Sequence, residues 1–224
     1  VSELDCVVHY AVKANSSLGV LGLLAQQGAG ADIVSGGEMK RALIAGIAPD
    51  KIVFSGVGKT DDEIRAALQA GIAQINAESA TELRHISQIA AETERQAPVA
   101  LRVNVNVDPG SHAKISTGQR STKFGIPVAD GEAAMLYRQL CSDPNLIPRG
   151  LAVHIGSQLR KLDPFERAYQ ELLALADMLR AEGLDVPMLD LGGGLGVDYE
   201  EDKTPDFDAY GQMVTSIFAS REYK

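Results

Sequence analysis

"KIVFSGVGKTDDEIRAALQAGIAQIN" (Lys51–Asn76) decides the fold class. Its opening, Lys51–Ser55, reads as a short buried strand. Thr60–Ala70 then sets Ile64, Ala67 and Leu68 at helical spacing, and Ile72 continues the set. Gly71 follows, where a left-handed helix end favours glycine. Gln74–Asn76 starts a second strand. A strand, a helical crossover and another strand make a parallel pair, since parallel neighbours need a long connection.

The same unit repeats outward along the chain. Further strands are predicted at Val7–Val12, Ala31–Val34, Ala100–Asn104, Gly150–His154 and Met188–Leu191. Helices are predicted at Leu18–Gln27, Gly36–Ala45, Ser79–Glu92, Gly131–Cys141, Pro164–Glu182 and Pro205–Ala219. The first four strands recur about every 20 residues, the length of one strand, one helix and two short loops. Gly28 and Gly46 fall just past helices, as Gly71 does, and Ser79 with Glu82 has capping-box spacing. Strict alternation of strand and helix implies a parallel sheet covered on both faces.

Two architectures satisfy that pattern, an open doubly wound sheet and a closed barrel. The expected class is α/β, a (β/α)8 TIM-like barrel, incomplete here. About seven strands are legible before the chain stops at "SREYK" (Ser220–Lys224). The one long stretch without clear periodicity is "DPGSHAKISTGQRSTKFGIPVADG" (Asp108–Gly131), and long structured loops in compact domains are often functional.

The 224 residues are 45% hydrophobic and 23% charged, as expected for a soluble globular chain. The formal charge of −9 argues against a general nucleic-acid binder, which needs a basic face. No apolar run reaches the roughly 18–20 residues that cross a bilayer, and no signal-peptide pattern opens the chain. Val1 stands directly before a strand and is expected not to be a natural N-terminus. Cys6 and Cys141 are expected to be buried, reduced cysteines of a cytoplasmic protein. His9, His85, His112 and His154 are too scattered for a zinc site, and no metal is expected.

In a parallel barrel, chemistry sits at the C-terminal ends of the strands. Residues there are Lys13, Asp32 to Ser35, Ser55, Asn76, Arg102 to Asn104, His154 to Ser157 and Gly192 to Gly194. The glycine run in "LDLGGGLGVDY" (Leu189–Tyr199) is either a phosphate cradle or a flexible turn. It has neither a Walker pattern nor a dinucleotide fingerprint. His154 in "VHIGSQL" is either a hydrogen-bonded structural residue or a ring that stacks on a planar cofactor, with Ser157 beside it for an anion. Lys13, at the end of its strand and on the face of His9 and Ala11, either snorkels to solvent or is a desolvated amine for Schiff-base chemistry. Lysine, stacking ring and phosphate cradle together describe a pyridoxal phosphate site.

"YAVKAN" (Tyr10–Asn15), "GADIVSGGE" (Gly30–Glu38), "ISTG" with "KFGI" (Ile115–Gly118, Lys123–Ile126), "HIGSQ" (His154–Gln158) and "LGGGLGVDY" (Leu191–Tyr199) occur in that order. With them the chain resembles the alanine-racemase-type (fold type III) pyridoxal-phosphate decarboxylases, and within these the diaminopimelate decarboxylases. The first and last motifs are shared with ornithine and arginine decarboxylases; "KISTGQRSTKFGI" and "HIGSQ" point more narrowly. The resemblance implies that Lys13 forms the Schiff base with pyridoxal 5′-phosphate and that His154 stacks on its ring. It implies that Ser157, Gly192, Gly193 and Gly194 hold the phosphate, while Arg102 and Asp32 line the pocket.

The activity implied is decarboxylation of meso-2,6-diaminopimelate to L-lysine and CO2, in a cytoplasmic homodimer with shared active sites. Ornithine, arginine or carboxynorspermidine decarboxylation, and a non-catalytic cofactor-binding relative, stay as alternatives. The family also has a Glu-Pro-Gly-Arg strand and a C-terminal β-domain with a catalytic cysteine, and neither is found in these residues. Residues 1–224 are therefore expected to be the cofactor-binding barrel domain, truncated at both ends and not competent for turnover alone. Neither Cys6 nor Cys141 corresponds to that cysteine.

Overall fold

The computed structural model describes residues 6–108, 124–197 and 206–219. These divide into two compact units, one built from residues 7–100 and 139–149, the other from residues 101–138 and from residue 150 onward.

The first unit holds β1 (His9–Ala11), β2 (Gly30–Ile33), β3 (Ile52–Phe54) and β4 (Gln74–Ala77), each paired in parallel with the next. One row runs straight across them, from Ala11 to Asp32 to Val53 to Gln74. The crossovers are α1 (Leu18–Gln26), α2 (Gly36–Ile44) and α3 (Asp61–Ala70), and α4 (Ala80–Glu92) follows β4. In α3 the buried face is Ile64, Ala67 and Leu68, with Ile72 buried beyond it, the set read from spacing. Burying Ile64 and Leu68 contributes about 1.5–3 kcal/mol each relative to leaving them in water. The helix-ending glycines Gly28, Gly46 and Gly71 have φ of +82°, +94° and +72°.

Acidic residues start three of these helices. Thr60 and Glu63 form a complete capping box at α3, and Ser35 and Ser79 accept the N–H groups of Glu38 and Glu82 at α2 and α4. The box expected at Ser79 is half formed. Glu82 does not reach back to the Ser79 N–H; its carboxylate takes the Glu78 N–H at 2.7 Å and the Lys59 ammonium at 3.1 Å.

The second unit contains the last four residues of β5 (Ala97–Asn104), β6 (Ile126–Pro127), much of α5 (Glu132–Ser142), the end of β7 (Leu146–Val153), α6 (Asp163–Ala181), β8 (Met188–Asp190) and α7 (Phe207–Phe218). Val103 pairs with Ile126, and Gly150–Ala152 with Met188–Asp190, all in parallel. The long helix α6 buries Phe165, Tyr169, Leu172, Leu173 and Leu179. Phe165 meets Tyr210 of α7 edge-on, with ring centroids 5.6 Å apart.

Several expected boundaries move. Strand β1 is only His9–Ala11; Val7 and Val8 are exposed, because nothing among the described residues covers them. Strands β5 and β7 start earlier than expected, running back through Pro98 and Pro148. The two-residue β6 lies inside the stretch that showed no periodicity. Cys6 is exposed and Cys141 half-buried, so the expected burial of the pair is corrected. "ISTG" (Ile115–Gly118), Lys123, Tyr199, Pro205 and "SREYK" lie outside the described residues.

Candidate functional site

Two loops of the second unit, His154–Leu159 after β7 and Leu191–Val197 after β8, are laced together along their length. The Gly193 N–H donates to His154 Nδ1 at 3.3 Å, and the Val197 N–H to Gln158 Oε1 at 2.8 Å. Leu159 donates its N–H to the Gly194 carbonyl at 2.9 Å and accepts the Gly196 N–H at 2.8 Å, a parallel bridge between the loops. Asp190, the last residue of β8, accepts the Gly192 N–H at 2.9 Å and closes the turn. Gln158 is left-handed at φ +61°, an uncommon state for a side-chain-bearing residue.

The three glycines have different reasons to be glycine. Gly192 and Gly194 have φ of +67° and +113°. A Cβ on either would fall onto a backbone carbonyl oxygen, that of Val153 or of Gly156. A Cβ on Gly193 would meet nothing within 4 Å. The outer two are fixed by packing, and the middle one leaves backbone exposed over open space.

His154 is half-buried, immediately after β7. Because Nδ1 accepts the Gly193 N–H, a ring proton on Nε2 gives the neutral tautomer. Ser157 is half-buried in the same loop. Behind the loops, Tyr169 and Tyr210 join hydroxyls at 2.7 Å, and burial raises the pKa of both phenols. Arg102, in β5 and 8% exposed, sets its guanidinium carbon 5.1 Å over the ring of Phe124. Asn104, two residues on, donates from its amide to the Phe124 carbonyl at 3.2 Å. "KFGI" is thus fixed at Phe124 by two residues of one strand face.

Lys13 and Asp32 belong to the first unit. Lys13 sits in a single 3-10 turn, Val12–Ala14, just past β1, and is exposed. The strand ends one residue earlier than its apolar run suggests, and the turn carries the lysine clear of the buried Val12. The desolvation expected for its amine is therefore not supplied by the described residues. Asp32 is half-buried on β2, opposite Ala11 in register. Its Oδ1 accepts the Ser55 hydroxyl at 2.5 Å; Ser55 Oγ accepts the Asn76 amide at 3.0 Å; Asn76 Oδ1 accepts the Gln74 amide at 2.7 Å.

Sequence reasoning placed Ser55 and Asn76 at strand ends without seeing that they form this chain with Asp32. Two amides at alternate positions of one apolar strand, Gln74 and Asn76, are the signal that marks it. Asp190 and Gln158 were also missed, and so was Lys59, whose loop reads as an ordinary solvated turn.

The family model for "Pyridoxal-dependent decarboxylase, pyridoxal binding domain" matches residues 2–221. A diaminopimelate decarboxylase of Pseudomonas fluorescens is 52% identical over 96% of this chain and 52% of its own length. One of Vibrio cholerae is 49% identical, over 96% of this chain and 51% of its own. The crystal structure of diaminopimelate decarboxylase from Helicobacter pylori complexed with L-lysine superposes with a TM-score of 0.93 at 41% identity, covering 98% of this chain and 55% of that one. A lysine decarboxylase structure from Selenomonas ruminantium is more distant, at 26% identity and a TM-score of 0.81 over 96% of this chain and 54% of its own. The chain spans about half the length of the curated relatives it matches. These likenesses show the fold class, a (β/α)8 TIM-like barrel that is incomplete over this span, and no helix among the described residues is long and apolar enough to cross a membrane. The chain belongs to the pyridoxal-dependent decarboxylases, whose cofactor is pyridoxal 5′-phosphate, and residues 2–221 match their pyridoxal binding domain.

Proposed function

We propose that this chain is the cofactor-binding part of a diaminopimelate decarboxylase, converting meso-2,6-diaminopimelate to L-lysine and CO2. We place it in the cytoplasm, as a homodimer with shared active sites. The observation that carries the substrate choice is that relatives of that name match nearly the whole chain at about half identity. Lysine and arginine decarboxylase structures match the same span far more weakly.

The residues present fit the cofactor. The open space at Gly193 and the glycine-only conformations on either side of it are what a phosphate approaching backbone requires. His154 is held in one orientation by the same glycine run, so ring and cradle are positioned as one piece. The amide of Gly192 is already taken by Asp190. That bond shapes the turn, and the Gly193, Gly196 and Val197 amides are likewise given to His154, Leu159 and Gln158, leaving the phosphate to the Gly194 end of the run and to the Ser157 hydroxyl.

Lys13 would tether the cofactor by its amine, which is exposed and able to exchange its proton with water. His154 would lie on the ring face as a neutral imidazole and add no charge there. Arg102 and Asp32 would each offer the cofactor a charged group. Bound pyridoxal phosphate supplies an electron sink for the pair left when the Cα–carboxylate bond breaks and CO2 leaves. The protein's part is to hold the scissile bond in the productive orientation and to exclude competing reactions.

The test is CO2 release by the full-length protein with added pyridoxal phosphate. Release from meso-diaminopimelate and not from ornithine, arginine or lysine is expected. Release from ornithine, arginine or lysine alone, or no release from any of the four amino acids, would overturn the assignment.

A further inference from the structure

Lys59 is a buried cation of the first unit, with a side chain 1% exposed. Burying an ammonium costs several kcal/mol unless it is paired and fully hydrogen-bonded. Here the Nζ reaches the Gly56 carbonyl at 2.6 Å, the Asn76 carbonyl at 2.8 Å and Glu82 Oε1 at 3.1 Å, and lies 5.6 Å from the centroid of the Phe54 ring. Its three oxygen partners come from the loop after β3, from β4 and from the first turn of α4. It pins these elements at the strand ends where the site residues stand.

Asn76 is the junction. Its backbone carbonyl is held by Lys59, and its side chain sits within a one-way chain of hydrogen bonds that runs from Gln74 to Asp32. A carboxylate only accepts, so the Ser55 proton points to Asp32. The Ser55 oxygen must then accept from the Asn76 NH2, and the Asn76 oxygen from Gln74. Reversing any member breaks the chain. It ends at Asp32, whose register partner Ala11 lies two residues before Lys13.

We propose that Lys59 is a positioning residue for the pyridoxal site, holding Asn76 so that the Asn76–Ser55–Asp32 hydrogen bonds fix the Asp32 carboxylate beside the strand end that carries Lys13. The proposal rests on the functional reading above in taking Asp32 as part of the cofactor pocket.

The experiment is a titration of the full-length apoprotein with pyridoxal phosphate, followed by absorbance, with urea unfolding of each apo variant alongside. Lys59→Met and Ser55→Ala should each weaken binding about tenfold, and Lys59→Arg should recover part of the loss. The decisive reading is a double-mutant cycle: Ser55→Ala should add little once Asp32→Asn is present, a coupling that general loss of stability would not produce. Multiplying effects, or wild-type affinity in Lys59→Met or in Ser55→Ala, would overturn the proposal. Should Lys59→Met fail to fold, Ser55→Ala and its cycle decide alone, because that change buries no charge. A wild-type protein that binds no pyridoxal phosphate overturns the functional reading as well; normal wild-type binding with unchanged variants overturns only the role of Lys59.

Discussion

Gly193 and Gly194 are neighbours with opposite expected responses to one added methyl group. At Gly194 the backbone has φ +113°, and the new Cβ would fall onto the Gly156 carbonyl oxygen with the carbonyl carbon 3.0 Å away. Backbone strain of this kind costs about 1–3 kcal/mol, and overpacking against an immovable neighbour about 1–3 kcal/mol more. Gly194→Ala should therefore lose roughly 2–6 kcal/mol, a large share of the about 5–15 kcal/mol that holds a domain together. Relief by loop movement would sacrifice the Leu159-to-Gly194 bond of 2.9 Å, so cofactor affinity falls either way. At Gly193 the Cβ has open space and the backbone lies outside the left-handed region. Apo stability should stay within about 0.5 kcal/mol. If phosphate sits there, however, the methyl intrudes on it at about 1–3 kcal/mol, roughly 5- to 140-fold in Kd. Urea unfolding of the apo variants and pyridoxal phosphate titration of the full-length protein read the two quantities separately. Gly193→Ala with unchanged stability and unchanged affinity would refute the phosphate cradle. Gly194→Ala as stable as wild type would refute the steric reasoning.

Thr60→Ala removes the hydroxyl that accepts the Glu63 N–H at 3.3 Å and should cost about 1 kcal/mol in urea unfolding; no change would mean the box is not a stabilising cap. Glu63 has its pKa lowered, first by the Gly36 N–H and then by the Thr60 N–H. A carboxylate lowered in the folded state adds stability that is complete above its ordinary range and disappears as pH falls through its folded value. Stability profiles of wild type and Glu63→Gln should therefore differ at neutral pH and converge in acid; parallel profiles would contradict the linkage.

The β/α alternation was legible because period and punctuation agree: Ile64, Ala67 and Leu68 recur at helical spacing, and Gly28, Gly46 and Gly71 end helices in left-handed turns. Strand starts were less legible where proline intervenes. Pro98 and Pro148 argue locally against a strand, yet β5 and β7 run through both. Candidate site residues announced themselves by type at strand ends, as Lys13, His154 and the glycine run did. Their connections did not, because a hydrogen bond between Gly193 and His154 spans 39 residues of chain and leaves no periodic trace. Lys59 was invisible for a related reason. Its burial is made by three separate elements converging on it, while its own neighbours, Gly58 and Thr60, describe a surface turn.

The central claim is that Lys13 is the amine that carries the cofactor. Borohydride reduction of the pyridoxal-phosphate-loaded full-length protein, followed by peptide mass spectrometry, tests it directly. A single phosphopyridoxyl adduct is expected on the peptide containing Lys13, absent in Lys13→Ala. An adduct on another lysine, or none at saturating cofactor, would contradict it.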